Sequence, residues 1–169
     1  YKAHFAMNLD TGLMSIWAEL SSEMPVHMQW LAAPVLPAPH HSDEMLDFSG
    51  RWIGEFQMNR VPWTAGSHMR ENRTGRTGHE HFPGLLIPET GATNTKGHVF
   101  GFHYGWSGGH KMIAEELPDG RRQVQFGHAS DIQADVATSF QTAKLYAVFS
   151  DVGLNGCATA FQRHLRDHV

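Results

Sequence analysis

Thirteen histidines in 169 residues are the first groups that could carry chemistry. His40 and His41 are adjacent, and His79 and His81 flank Glu80 in GHEHFP. Residues two apart on a strand point the same way, so His79 and His81 could share a metal ion. Zinc or iron needs three or four converging ligands, however, and no third ligand stands at a diagnostic spacing. A loop that hydrogen-bonds its own backbone is the simpler reading, and no metal or cofactor is assigned. Carboxylate pairs come next, because cleavage of a glycosidic bond with retention uses two carboxyl groups roughly 5–5.5 Å apart. The candidates are Glu115 with Glu116, Asp131 with Asp135, and Glu55. Neighbours on a regular strand face opposite ways, so Glu115 and Glu116 do not converge. There is no G-x-S-x-G elbow and no phosphate-binding glycine loop, and Cys157 has no recognisable base partner. From these groups alone the chain reads as a soluble, non-catalytic β-sandwich.

The elements that position these groups show most clearly in FGFHYGWSGGH, residues 100–110, with Phe100, Phe102, Tyr104 and Trp106 on alternate positions. On a strand all four project from one face, and Gly101, His103 and Gly105 from the other. Left in water they would form a larger patch than soluble monomers usually show, whereas against a second sheet each buries about 150–250 Å². The stripe is therefore read as core, with Trp106, beside the glycine turn, as the ring whose edge stays accessible. Gly101 and Gly105 imply close approach by another segment on the far face, hence a second layer.

An apolar fraction of 41% with 18% charged residues is that of a globular domain, and the length suits one core. Thirteen Lys and Arg oppose 17 Asp and Glu, and no like-charge run reaches five, so nothing would track a phosphate backbone. No nucleic acid partner is expected. No apolar run approaches the roughly 20 residues of a membrane-spanning helix, and no membrane association is expected. Cys157 is the sole cysteine, which excludes an internal disulfide and fits a reducing compartment. A cytoplasmic location is the expectation, with a disulfide-free exported protein as the alternative. The chain begins at Tyr1 in a stretch that already reads as a strand, so its true start is expected elsewhere in a longer polypeptide.

Along the chain, short strands alternate with turns. KAHFAMN and LMSIWAEL flank Asp10, Thr11 and Gly12 as a hairpin, and VHMQWLA reads as a further strand. Pro34, Pro37 and Pro39 hold PVLPAPHH extended and without backbone donors, as a crossover or sheet edge. RWIGEFQMN reads as a strand and NRVPWTAGSHMRENRTGRTGHEHFPG as a long loop, of the kind that carries function or meets a partner. GHVFGFHYGWS, HKMIAEEL and RRQVQFGHA predict a three-stranded antiparallel meander, turning at Ser107-Gly108-Gly109 and Pro118-Asp119-Gly120. KLYAVFS is the last strand. Beyond it Leu154, Ala158, Phe161 and Leu165 recur at helical spacing behind Asn155, a candidate N-cap, predicting a helix about four turns long.

Four segments together resemble the N-terminal β-sandwich domain of bacterial family 36 glycoside hydrolases, the α-galactosidases. They are LPAPHHSDEMLDFSGRWIGEF, NRTGRTGHEHFPG, VFGFHYGWSGGHKMIAEELPDGRRQVQFG and LYAVFSDVGLNGCATAFQRHLRDHV, which together span most of residues 34–169 in matching order. The resemblance implies a mainly β, supersandwich-like antiparallel fold: a partial sandwich over residues 1–152 and a linker helix over 153–169 leading to a catalytic barrel. The first segment is similar to a strand carrying Gly50, Arg51, Trp52 and Glu55. The second is similar to an R-x-G-R-T-S-H loop supplying Arg73, Arg76 and His79, with Gly78 where a serine is expected. In this family the catalytic Asp nucleophile, in K-x-D-x-N, and the Asp acid/base lie in the barrel, and neither motif occurs here. The resemblance thus implies an inactive chain with no catalytic residue. Its parent would release terminal α-D-galactosyl residues from melibiose- and raffinose-type sugars with retention.

Two readings of the motif residues follow. In one, Arg76 and His79 brace the loop through backbone carbonyls while Arg51 and Glu55 pair across strands. In the other, the loop docks onto the barrel or a second subunit of a homo-oligomer and shapes the rim of the sugar pocket, with Trp63 and Trp106 as candidate sugar contacts. Alternatives for the whole are a free-standing carbohydrate-binding sandwich, or part of an α-N-acetylgalactosaminidase or a galactosyl-transferring enzyme.

Overall fold

In the computed structural model, which describes residues 1–129 and 136–169, strands form wherever turn residues bound an alternating stretch. β1 (Lys2–Asn8) and β2 (Leu13–His27) make the first hairpin, closed by the Asn8 side chain, which accepts from the Asp10 and Thr11 amides. β2 runs for 15 residues, so VHMQWLA is not a strand of its own: Val26 and His27 end β2, and Ala32 makes a single bridge to Gly127. The proline-rich stretch contributes β3 (Leu36–Pro37) at a sheet edge, where missing donors cost least.

β4 (Glu44–Arg51) and β5 (Gly54–Pro62) replace the one strand expected from RWIGEFQMN. The chain reverses at Trp52 and Ile53, with Ile53 at φ 66. Gly50 permits this, since a Cβ there would stand 2.2 Å from the Gly54 carbonyl oxygen. The expected long loop is divided by β6 (Gly66–Asn72), whose inward residues His68, Arg70 and Asn72 are polar and leave no apolar alternation to read. β7 (Gly84–Pro88) is a short apolar run that the sequence reading passes over.

β8 (Val99–Tyr104), β9 (His110–Glu116) and β10 (Arg122–His128) stand where predicted but do not form one meander. β9 and β10 pair as a hairpin, while β8 belongs to the other sheet, and residues 105–109 carry the chain between sheets. Burial is the reason: Phe102 and Tyr104 share the core with Met112, Ala114 and Phe126, which requires two facing sheets. β11 (Val136–Gln141) lies along the second half of β2 and β12 (Leu145–Ser150) along its first half, before α1 (Leu154–His168).

The larger, eight-stranded sheet runs β1-β2-β12-β8-β7-β4-β5, with β11 also on β2, and the four-stranded sheet runs β3-β10-β9-β6. This is an antiparallel β-sandwich with one helix, as the sequence predicts. Phe102 and Tyr104 are buried in its core and Phe100 packs at the margin, so the stripe is core; Trp106 falls beyond the strand and stays 39% exposed. Each buried ring of this size contributes on the order of 2–3 kcal/mol. The Tyr104 hydroxyl accepts the Ala143 amide, and burial raises its phenol well above the ordinary value.

On the outer face of the larger sheet, a Cβ at Gly101 would lie 3.1 Å from the Phe161 ring, so the second layer on that side is the helix. α1 does not start on Asn155. Gly153 is its N-cap residue, and the Thr93 and Asn94 carbonyls accept the Leu154 and Asn155 amides. Cys157 is buried beneath α1, and burial pushes its thiol up to about 12, which makes it a packing group rather than a nucleophile.

Candidate functional site

Most of the motif residues meet in one polar cleft of about 520 Å³, although they come from two separate segments. One wall is the tip of the β4–β5 hairpin, with Arg51 and Trp52; the other is the segment after β6, with Arg73, Arg76 and His79. Asn72 and His81 lie between them. Trp52 stands edge-on to His79, ring centroids 5.9 Å apart, and joins the walls.

Asp47 on β4 holds both walls to the sandwich. Its carboxylate accepts from His68 Nε2 at 2.8 Å and Arg70 Nε at 3.0 Å on β6, and from Asn59 Nδ2 at 2.8 Å on β5. Burial alone would raise this carboxyl, but the His68 and Asn59 hydrogen bonds and the Arg70 charge hold it below the ordinary value. Asp47 is 2% exposed, so it ties the two sheets together from within.

The bracing of the loop differs from the expected scheme. Asn72 Nδ2 donates to the Arg76 carbonyl at 2.6 Å, while Asn72 Oδ1 accepts from the Thr74 amide and hydroxyl. The Thr77 amide donates to the Ser107 carbonyl at 2.6 Å. Arg76 therefore contributes its carbonyl rather than its guanidinium. Arg51 meets Gly54, not Glu55, across the turn. Glu55 accepts the Ile53 amide and lies 3.8 Å from His79 Nδ1, and its own amide and that of Ile53 hold its carboxyl below the ordinary value.

Trp63 is 8% exposed, with the Arg122 guanidinium over its ring at 5.0 Å, so it offers no free face for a sugar to stack on. Trp106 is open on one side and meets His128 edge-on at 4.7 Å, but Trp52, at 77% exposure, is the most open ring of the three. Glu115 accepts from Gln123 and Gln125, whereas Glu116 pairs with Arg122 at 2.7 Å, so the two face apart as expected. Asp131 and Asp135 lie outside the described residues. Among the described residues no three potential metal ligands converge.

Behind the cleft lies a group that sequence reasoning missed. His110, paired in register with Asn72 and His128, is 1% exposed and has no partner at either ring nitrogen. Burial pulls it down to about 4, so it is neutral at ordinary pH. Asn72, Asp47 and His68 were also missed, because polar residues on an edge strand announce nothing until their cross-sheet neighbours are known.

A sandwich with a polar cleft at one end and a helix across one face defines an accessory, non-catalytic domain architecture rather than an enzyme centre. The chain belongs to the family described as the glycosyl hydrolase family 36 N-terminal domain, which matches residues 2–136. It is 41% identical over 141 residues to the α-galactosidase of Escherichia coli, covering 81% of this chain and 20% of that protein. It is 28% identical over 129 residues to the α-galactosidase AgaA of Geobacillus stearothermophilus, covering 75% of this chain and 18% of AgaA. Among solved structures, the α-galactosidase from Lactobacillus brevis superposes with a TM-score of 0.82 at 18% identity, over 94% of this chain and 22% of that one. That similarity establishes the fold. The chain spans about a fifth of the length of its curated relatives.

Proposed function

We propose that this chain is the later, non-catalytic part of the N-terminal sandwich domain of a retaining α-galactosidase. Its parent enzyme removes terminal α-D-galactosyl residues from melibiose- and raffinose-type sugars through a galactosyl-enzyme intermediate. The observation that carries this reading is the 41% identity to the E. coli α-galactosidase. The carboxylates here suit it: Glu115 and Glu116 face apart, and Asp47 is buried under three donors, so none forms a catalytic pair. Catalysis then belongs to another domain. The polar cleft docks on that domain or on a second subunit of a homo-oligomer, with Arg51, Arg73 and Arg76 as donors and Trp52 and Trp106 as the rings available to a sugar.

The test is to assay the parent polypeptide on p-nitrophenyl α-galactoside and follow the released sugar by NMR. α-Galactose appearing before its β anomer is the expected result, with no release by the present chain alone. β-Galactose appearing first, or cleavage of α-N-acetylgalactosaminides only, overturns the assignment. The exposed Trp52 and Trp106 favour one second reading, a free sugar-binding sandwich. It predicts that galactose changes the tryptophan fluorescence of the isolated chain, where a scaffold shows no change.

A further inference from the structure

On α1 the sequence pattern and the packing part company. Leu154, Ala158, Phe161 and Leu165 predict one buried stripe, yet only Leu154 and Phe161 of the four pack on the sheet, beside Cys157. Ala158 turns outward, and Leu165 is 62% exposed. α1 therefore carries a second apolar stripe, Ala158, Leu165 and Val169, that lines an apolar groove of about 580 Å³. The opposite wall is the outer face of the larger sheet beyond the helix. There Phe56 stacks on Phe48 at 4.7 Å and meets Phe82 edge-on at 4.8 Å. Phe56 is 56% exposed and holds φ 56, a strained conformation for a residue with a side chain, of the kind that accumulates where a group is presented to a ligand.

The helix packs on β8, β12 and β2 and leaves β7, β4 and β5 uncovered, so the helical layer is half built. The charge around the groove is one-sided. Lys144, His164 and His168 stand close enough to repel one another, and Arg163 and Arg166 lie on the same helix. The only acidic residue of α1, Asp167, already pairs with Arg166.

We propose that this groove seats an acidic amphipathic α-helix, laid alongside α1 so that the pair completes a layer over the larger sheet. Two physical arguments select a helix. The walls are side chains that offer no backbone partners, so a strand or irregular segment would bury unpaired amides and carbonyls, whereas a helix satisfies its own. The steps from Ala158 to Phe161, Leu165 and Val169 are three and four residues, the spacing of a helix–helix seam. Charge selects acidity, because carboxylates flanking the seam would meet Lys144, Arg163 and the two histidines.

The test uses a blocked synthetic helical peptide of about 18 residues, with leucines at heptad a and d positions and glutamates flanking them. A control peptide carries lysines in place of the glutamates, and binding to the chain is read by fluorescence anisotropy. The glutamate peptide is expected to bind at least about tenfold more tightly than the lysine peptide. In about 1 M salt, where screening acts within roughly 3 Å, the gap closes. Leu165→Ala and Phe56→Ala, both at exposed positions, each weaken the glutamate peptide by about tenfold. Equal binding of the two peptides, failure of both to bind, or indifference to both substitutions overturns the proposal. Peptide-free dimerisation abolished by Leu165→Ala would assign the groove to a second copy of the chain and overturn it too.

Discussion

On its inner face the larger sheet buries Ile16, Leu85, Ile87, Phe102, Tyr104 and Leu145 against the smaller sheet, and on its outer face it packs Val99 and Val148 beneath Cys157 of α1. Both faces belong to the same strands, so propensity does not separate them. What separates them is what lies opposite. The inner face meets side chains that alternate in register with its own, and its stability is intrinsic to the chain. The outer face meets a helix that covers part of it, and the aromatic remainder is available to another molecule.

Phe126→Ala should give the largest effect, a loss of about 3–5 kcal/mol, because Phe126 is fully buried between the sheets. Urea denaturation measures it, and a loss under about 1 kcal/mol would mean that the inner face is not the load it appears from burial. Acid should find the same face. Burial holds His110 and His128 below their ordinary value of 6.5, His110 at about 4, so the unfolded chain takes up protons that the folded chain refuses. Stability therefore falls as pH drops below about 6.5, and the His110 contribution levels off below about 4. A loss on the order of 2–3 kcal/mol between these limits is expected, and His110→Leu should flatten the profile. An unchanged profile in that variant would place the proton uptake elsewhere.

Gly101→Ala tests the boundary of the two faces from outside. Its new methyl would meet Val148, Leu86 and Phe161 at 3.0–3.1 Å and lift the helix, at a cost of about 1–2 kcal/mol. Hydrogen exchange should report faster exchange in α1 with the core strands unchanged. Leu165→Ala should be smallest, within about 0.5 kcal/mol in a thermal melt, because its side chain faces the open groove. A loss approaching that of Phe126→Ala would erase the contrast.

The strands on the well-buried side were largely legible in the sequence, because KAHFAMN, HKMIAEEL and KLYAVFS alternate and are bounded by turn residues. β6 was not, since His68, Arg70 and Asn72 face inward as partners of Asp47 and of the loop rather than as apolar core. The passage of β8 and β9 into different sheets was also hidden, because Ser107-Gly108-Gly109 serves a crossing as readily as a hairpin. At the cleft, Arg51, Trp52, Arg73, Arg76 and His79 were legible through family resemblance, and the structure brings them together. Trp63 was assigned to the surface when it belongs to the core, because a tryptophan after a proline gives no local sign of what covers it.

The base of α1 is fastened at several points: Leu154 and Asn155 to the carbonyls of Thr93 and Asn94, the Gly153 amide to Gly97, and the Ser150 hydroxyl to the Gly153 carbonyl. Mechanically the helix is a cantilever, about 22 Å of stiff rod clamped at one end. Deflection of such a beam grows steeply toward its tip, so the groove is rigid near Ala158 and compliant near Val169. An occupant would enter at the tip and be gripped as it advances toward the clamp, and a pull on the tip would load the segment around Thr93 rather than the sheet beneath.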